Sequence, residues 1–201
     1  KSVGETMAIG RNFQESLQKA FRSLEIGVDG LDLKAEAKLD DKKLDDYLLT
    51  TCTERTIAIK TALKKGYSIK KINEMTHLDP WFIDQILQIV ELEKEIIDNK
   101  NLDKELLLKA KKHGFSDDQI GSLRNTNGTD IREARKSLNI LPVYSLVDTC
   151  AGEFSASTPY YYSCYASHNE IRKSNKKSVI VLGSGPNRIG QGIEFDYSCV
   201  H

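Results

Sequence analysis

Ala62-Leu-Lys-Lys-Gly-Tyr-Ser-Ile-Lys-Lys-Ile-Asn-Glu-Met75 and Ala110-Lys-Lys-His-Gly-Phe-Ser-Asp-Asp-Gln-Ile-Gly-Ser-Leu123 are two copies of one helical pattern. Gly66 falls on Gly114, a shift of 48, and without a gap Ala62 meets Ala110, Tyr67 meets Phe115, Ser68 meets Ser116 and Ile72 meets Ile120. Ile83 and Ile131 continue the match into a following helix. Each copy reads helix, glycine stop, aromatic, serine cap, short helix, polar turn, helix. The glycine supplies a left-handed residue after a helix, and the serine accepts N–H groups at the start of the next. Asp79-Pro80 gives the first copy's last helix a cap and a first-turn proline; the second copy uses the Asn125-Thr-Asn-Gly turn with Thr129 as its expected cap. Two copies are too few for a solenoid. The expected fold is mainly α, with paired helical subdomains over about residues 26–176.

Working outward, Leu141-Pro142-Val143-Tyr144 reads as extended chain leaving the bundle. Tyr160, Tyr161 and Tyr162 suit a segment lying across a surface, and residues 168–177 read as a polar linker. Toward the N-terminus, Asn12 and Glu15 have capping-box spacing ahead of a helix carrying Phe13, Leu17, Phe21 and Leu24. At the other end Val179 to Leu182 form a short apolar run typical of a strand buried on both faces, followed by glycines 183, 185, 190 and 192 and a helix start from Ile193. The expectation is the truncated strand–turn–helix start of an α/β domain. Residues 1–25 and 177–201 are therefore expected to be edges of two flanking domains.

Composition sets the class limits. Lys plus Arg is 29 and Asp plus Glu is 29 over 201 residues, so no net charge steers the chain to nucleic acid or a membrane surface. No apolar run approaches the roughly 18 residues of a membrane span. The four cysteines (52, 150, 164, 199) form no Cys-x-x-Cys pair and read as reduced cytosolic thiols. Cys164 and His168 lack the second ligand pair that zinc would need.

Candidate sites are few. Trp81, Phe82, Ile83, Ile86, Ile89 and Val90 outnumber what one internal helix face needs, so Trp81, Phe82, Ile86 and Ile89 are candidate contacts with another domain or subunit. The turn holding Gly183, Gly185, Arg188 and Gly190 is a candidate ligand turn. It fits neither the dinucleotide fingerprint, because Arg188 stands at the third glycine, nor a Walker loop. A helix-turn-helix reading over residues 116–136, with Arg132, Arg135 and Lys136 as recognition face, is the alternative from another class. Glu91, Glu93 and Glu95 in the first copy oppose it by repelling phosphates. His77, His113, His168 and His201 are scattered, and no nucleophile motif accompanies them.

Three separated signatures resemble the large chain of carbamoyl phosphate synthase. Lys1-Ser-Val-Gly-Glu-Thr-Met-Ala-Ile-Gly-Arg11 with Glu15-Ser-Leu-Gln-Lys-Ala20 is similar to the end of that family's first ATP-grasp half. Val147-Asp-Thr-Cys-Ala-Gly-Glu-Phe154 with Tyr160 to Ser163 is similar to its middle segment. Residues Val181 to Tyr197 resemble the opening of its second half. Thr6, Gly152 and Ser184 depart from the expected Val, Ala and Gly.

The resemblance implies that residues 26–176 are the oligomerisation domain between two synthetase halves. It implies a parent ligase making carbamoyl phosphate from bicarbonate, ammonia and two ATP with Mg²⁺ or Mn²⁺, for arginine and pyrimidine synthesis. It further implies a small glutamine amidotransferase chain as partner, together with the remainder of the large chain and self-association. No catalytic, cofactor or metal residue is carried over, since the family's ATP and metal ligands lie in other lobes. The Gly183–Gly190 turn would wall a substrate passage.

Overall fold

The computed structural model describes residues 6–37, 39–172, 175–183 and 197–201. Helix α1 (Phe13–Ser23) precedes a loop with the short α2 (Leu33–Glu36), a 3-10 turn (Asp41–Lys43) and α3 (Leu44–Leu49). The first repeat is α4 (Arg55–Lys64), α5 (Ile69–Thr76) and α6 (Pro80–Asp98); the second is α7 (Lys104–Lys112), α8 (Asp117–Leu123) and α9 (Gly128–Ser137). An antiparallel ribbon of β1 (Val143–Leu146) and β2 (Tyr161–Cys164) follows, and α10 (Tyr197–Val200) ends the chain.

The punctuation is local. Gly66 and Gly114 adopt φ of +87° and +83°, conformations an L side chain resists. Ser68 and Ser116 then accept from the Lys71 and Gln119 N–H groups at 3.1 and 2.9 Å. One expected cap moves. Asn127, not Thr129, caps α9, accepting from the Asp130 N–H at 2.9 Å. With Asn127 as cap the helix starts at Gly128, where the absence of a side chain leaves room for Asp118 packed against it.

The two repeats share one continuous core with α6 at its centre, against α1, α4, α5, α7 and α8. Ile72, Ile83, Ile89, Ile96, Leu107, Phe115 and Ile120 are fully enclosed. Burial of such side chains is the main favourable contribution, about 1.5–3 kcal/mol each before the entropy of ordering.

Polar groups pin the periphery to this core. Lys60 on α4, wholly buried, donates to the Leu31 carbonyl at 2.6 Å and pairs with Glu36 at 2.7 Å. Lys111 donates to the Phe115 carbonyl at 2.7 Å and pairs with Asp117 at 2.8 Å. The expected division after residue 25 does not appear as a gap in packing. Helix α1 buries Gln14, Glu15, Gln18 and Phe21, and Gln18 bonds the Leu31 N–H and the His113 carbonyl. Its capping box forms, although Glu15 reaches back to the Arg11 N–H, one residue before the cap.

The extended segment is a paired ribbon, in register Val143 with Cys164 through Leu146 with Tyr161. Ser145 and Cys164 point inward. The expected linker begins later than residue 168, because Asn169 and Glu170 bond the outer edge of β1 at Tyr144 and Leu146. Over the expected strand, Val179 and Leu182 are 90% and 85% exposed, and no strand pairing is present there among the described residues. A parallel strand needs a neighbour for its N–H and C=O groups, and none lies beside it among the described residues. Residues 193–196, where the helix was expected to begin, lie outside the described residues.

Candidate interaction surface

Asp79 sets the rotation of α6. Its side chain accepts from the Trp81 N–H at 2.8 Å, and Pro80 occupies the first turn. Ile83, Ile86, Ile89 and Ile96 thereby face the core, whereas Trp81 and Phe82 face outward, 51% and 41% exposed. Ile86 and Ile89 are thus removed from the expected contact set: their spacing from Ile83 places them on the buried stripe.

Phe13, the first residue of α1, completes the patch. Its ring centroid is 5.3 Å from Trp81 and 5.4 Å from Phe82, and those two rings stand 5.0 Å apart at 84°. Edge-to-face contacts of this kind add about 0.5–1.5 kcal/mol beyond burial. Alongside, Gln14 Nε2 donates to Gln85 and Gln88 Oε1 at 2.8 and 2.7 Å, and Asp84 accepts from Gln88 at 2.7 Å. The aromatic patch is therefore held between two helices rather than dangling from one.

Other expected features fall elsewhere. Arg135 is buried, its Nε 3.0 and 2.9 Å from the two Asp117 oxygens and its Nη1 donating to the Ile140 carbonyl. Arg132 and Lys136 are exposed, but Arg135 between them is spent on the core, so the three do not form the expected recognition face. Glu93 likewise is no surface repulsion: it is buried against Lys60. Burial pushes its carboxyl above the ordinary range, although Lys60 opposes the shift. Of the tyrosines, Tyr160 is exposed, whereas Tyr162 lies near the Lys19 ammonium, 5.7 Å from ring centre.

Cys164 is buried beside the Ser145 hydroxyl, and His168 is exposed next to Ser167. Among the described residues no three or more His, Cys, Asp or Glu side chains gather into a possible metal site. No helix among them is long and apolar enough to cross a membrane. Gly183 is exposed; Gly185, Arg188 and Gly190 lie outside the described residues.

Sequence reasoning missed Phe13 as the third ring, and it missed the buried polar residues Gln14, Glu15, Gln18 and Lys60. Apolar periodicity could have offered Phe13, one position after the Asn12 cap. It carries no signal for buried amides or ammonium groups.

Comparison with known proteins follows the same outline. Residues 5–139 match the family model described as carbamoyl-phosphate synthetase large chain, oligomerisation domain. Residues 175–201 match the carbamoyl phosphate synthase preATP-grasp domain. Over its whole length the chain is 53% identical to the carbamoyl phosphate synthase large chain of Micrococcus luteus, covering 18% of that protein. It is 49% identical to those of Arthrobacter sp. and Archaeoglobus fulgidus, covering 18% and 19% of them. The chain thus spans less than a fifth of the length of these relatives.

Proposed function

Because the chain belongs to the family of carbamoyl phosphate synthase large chains, we propose that it is the helical spacer between two synthetase halves, and that it associates with a second copy through Phe13, Trp81 and Phe82. In this reading residues 26–176 are the spacer, with α1 packed onto it from the preceding edge. Residues 177–201 open the second half, and the Gly183–Gly190 turn walls its substrate passage.

The activity belongs to the whole cytoplasmic synthase. That ligase joins bicarbonate and glutamine-derived ammonia at the expense of two ATP, serving arginine and pyrimidine synthesis. ATP and its Mg²⁺ or Mn²⁺ are assigned to the remainder of the large chain, and glutamine hydrolysis to a small amidotransferase partner. No chemical step is assigned to the described residues. Their contribution is mechanical: a continuous core that fixes spacing, and a fixed aromatic patch on its outside.

The observation that carries the association is the exposure of Trp81 and Phe82 together, braced by Phe13. Exposed aromatic clusters mark interaction sites, and Trp is prominent among residues whose truncation costs most at interfaces. Light scattering after size exclusion should show mass rising with concentration. The Trp81→Ala/Phe82→Ala variant should weaken that association by roughly tenfold or more. A chain that stays monomeric at every concentration, or a variant that associates as the wild type does, overturns the reading.

A further inference from the structure

Between α1, the turn joining α7 to α8, and the β1–β2 ribbon lies an open cleft of about 310 Å³. It is unrelated to the aromatic patch, and its charge does not balance. Lys19, Arg22 and Lys111 line it against Glu15 and Asp117, and Arg135 stands behind Asp117 at 2.9 Å. We propose that this cleft binds a small oxyanion of the phosphate class, held by Arg22, Lys111 and the Tyr165 hydroxyl.

Arg22 is the central residue. Its Nη1 donates to the Gly114 carbonyl at 2.7 Å and the Asp29 carbonyl at 3.3 Å. No carboxylate pairs with it among the described residues, and its Nε and Nη2 have no partner there. Burial holds its guanidinium below the ordinary arginine range. The Asp29 and Glu15 carboxylates oppose that effect from nearby without forming an ion pair with it among the described residues, so an entering anion meets a half-buried guanidinium with donors to spare. The free Nε and Nη2 form a donor fork of the kind that matches phosphate oxygens.

Two further donors converge from other elements. Lys111 spends hydrogens on the Phe115 carbonyl and Asp117, and an ammonium carries a third. Burial lowers its affinity for a proton, and neighbouring Arg135 and Arg22 press the same way. Tyr165 lies across the cluster, its ring centre 5.3 Å from the Lys111 ammonium and 6.0 Å from the Arg135 guanidinium. Its hydroxyl has no hydrogen-bond partner among the described residues. Lys19 adds charge only, since Ile9, Ser163 and Glu15 take its three hydrogens.

The experiment uses this chain with inorganic phosphate as the probe and chloride at matched ionic strength as the reference, read by calorimetry and by ³¹P line broadening. Saturable binding of phosphate is expected, with affinity falling roughly tenfold in Arg22→Gln and several-fold in Tyr165→Phe. Tyr165→Phe keeps the ring over Lys111 and so serves if Arg22→Gln fails to fold. A phosphate monoester run in parallel separates the sources. Equal affinity identifies free phosphate, and tighter monoester binding identifies a phosphorylated metabolite. Phosphate indistinguishable from chloride, acetate binding as tightly as phosphate, or Tyr165→Phe binding as the wild type does would each overturn the proposal. Failure here leaves self-association through Trp81 untouched, because the two sites share no residue.

Discussion

Lys60 Nζ on α4 lies 2.5 Å from Glu93 Oε1 on α6, and both side chains are almost completely removed from water. The same ammonium holds the Leu31 carbonyl, and Glu36 completes the cluster with Lys64 at 2.7 Å. The first repeat is thus joined to the α1–α2 loop by charge as well as by the apolar contacts of Val28, Leu31 and Ala35.

Substituting Lys60→Met should destabilise the chain by about 3 kcal/mol, because buried Glu93 loses its 2.5 Å partner and keeps only Lys64, 3.8 Å away. The double variant Lys60→Met/Glu93→Leu should recover at least half of that loss, since a well-packed apolar pair replaces a buried ion pair at little cost. Urea unfolding of the three proteins decides it. A double variant as unstable as Lys60→Met would refute the account.

Gly66 and Gly114 hold equivalent repeat positions with nearly the same φ, yet their surroundings differ. A Cβ at Gly66 meets nothing within 4 Å; one at Gly114 stands 2.7 Å from the Glu15 Cα. Both Gly→Ala changes should lose about 1–2 kcal/mol for left-handed backbone. Only Gly114→Ala should lose clearly more, by pushing α1 off the second repeat. Equal losses in thermal unfolding would show that α1 does not depend on that approach.

Asp117 links stability to acid. Burial alone would raise its carboxyl, but the hydrogen bonds and charges of Lys111 and Arg135 outweigh burial and hold it below the ordinary aspartate range. Between the folded and ordinary values the unfolded chain binds more protons, so stability rises with pH there and is lost as pH falls through that window. Asp117→Asn should flatten this acid limb. It should also lower stability near neutrality by about 3 kcal/mol, by leaving Lys111 and Arg135 without their carboxylate. Melting temperatures from pH 2 to 7 test both; an unchanged acid limb in the variant would contradict the assignment.

Asn127→Ala should remove about 1 kcal/mol of stability through the lost α9 cap, whereas Thr129→Ala, exposed in the first turn, should stay within about 0.5 kcal/mol of wild type. The reverse order in denaturant unfolding would restore Thr129 as the cap.

The repeat was readable because its signals are local. A glycine that must adopt positive φ, a serine that must cap, and an aspartate before a proline act within four residues of themselves. The candidate surface was half readable. Trp81 and Phe82 stood out as apolar excess, but Ile86 and Ile89 looked equivalent until the rotation of α6 separated the stripes. Arg135 read as a surface cation because its partner Asp117 is 18 residues away.

What the amino-acid order settled by itself is the helical class, the duplication and several helix ends, products of short-range sterics and hydrogen bonding, and, through its three signatures, the family. Only the tertiary arrangement decided which charges are interior, that Phe13 joins Trp81 and Phe82, and that Tyr165 meets Lys111 and Arg22 around one cleft. Those pairings join residues tens of positions apart. They depend on how helices rotate when their apolar stripes are buried together, which no local pattern encodes.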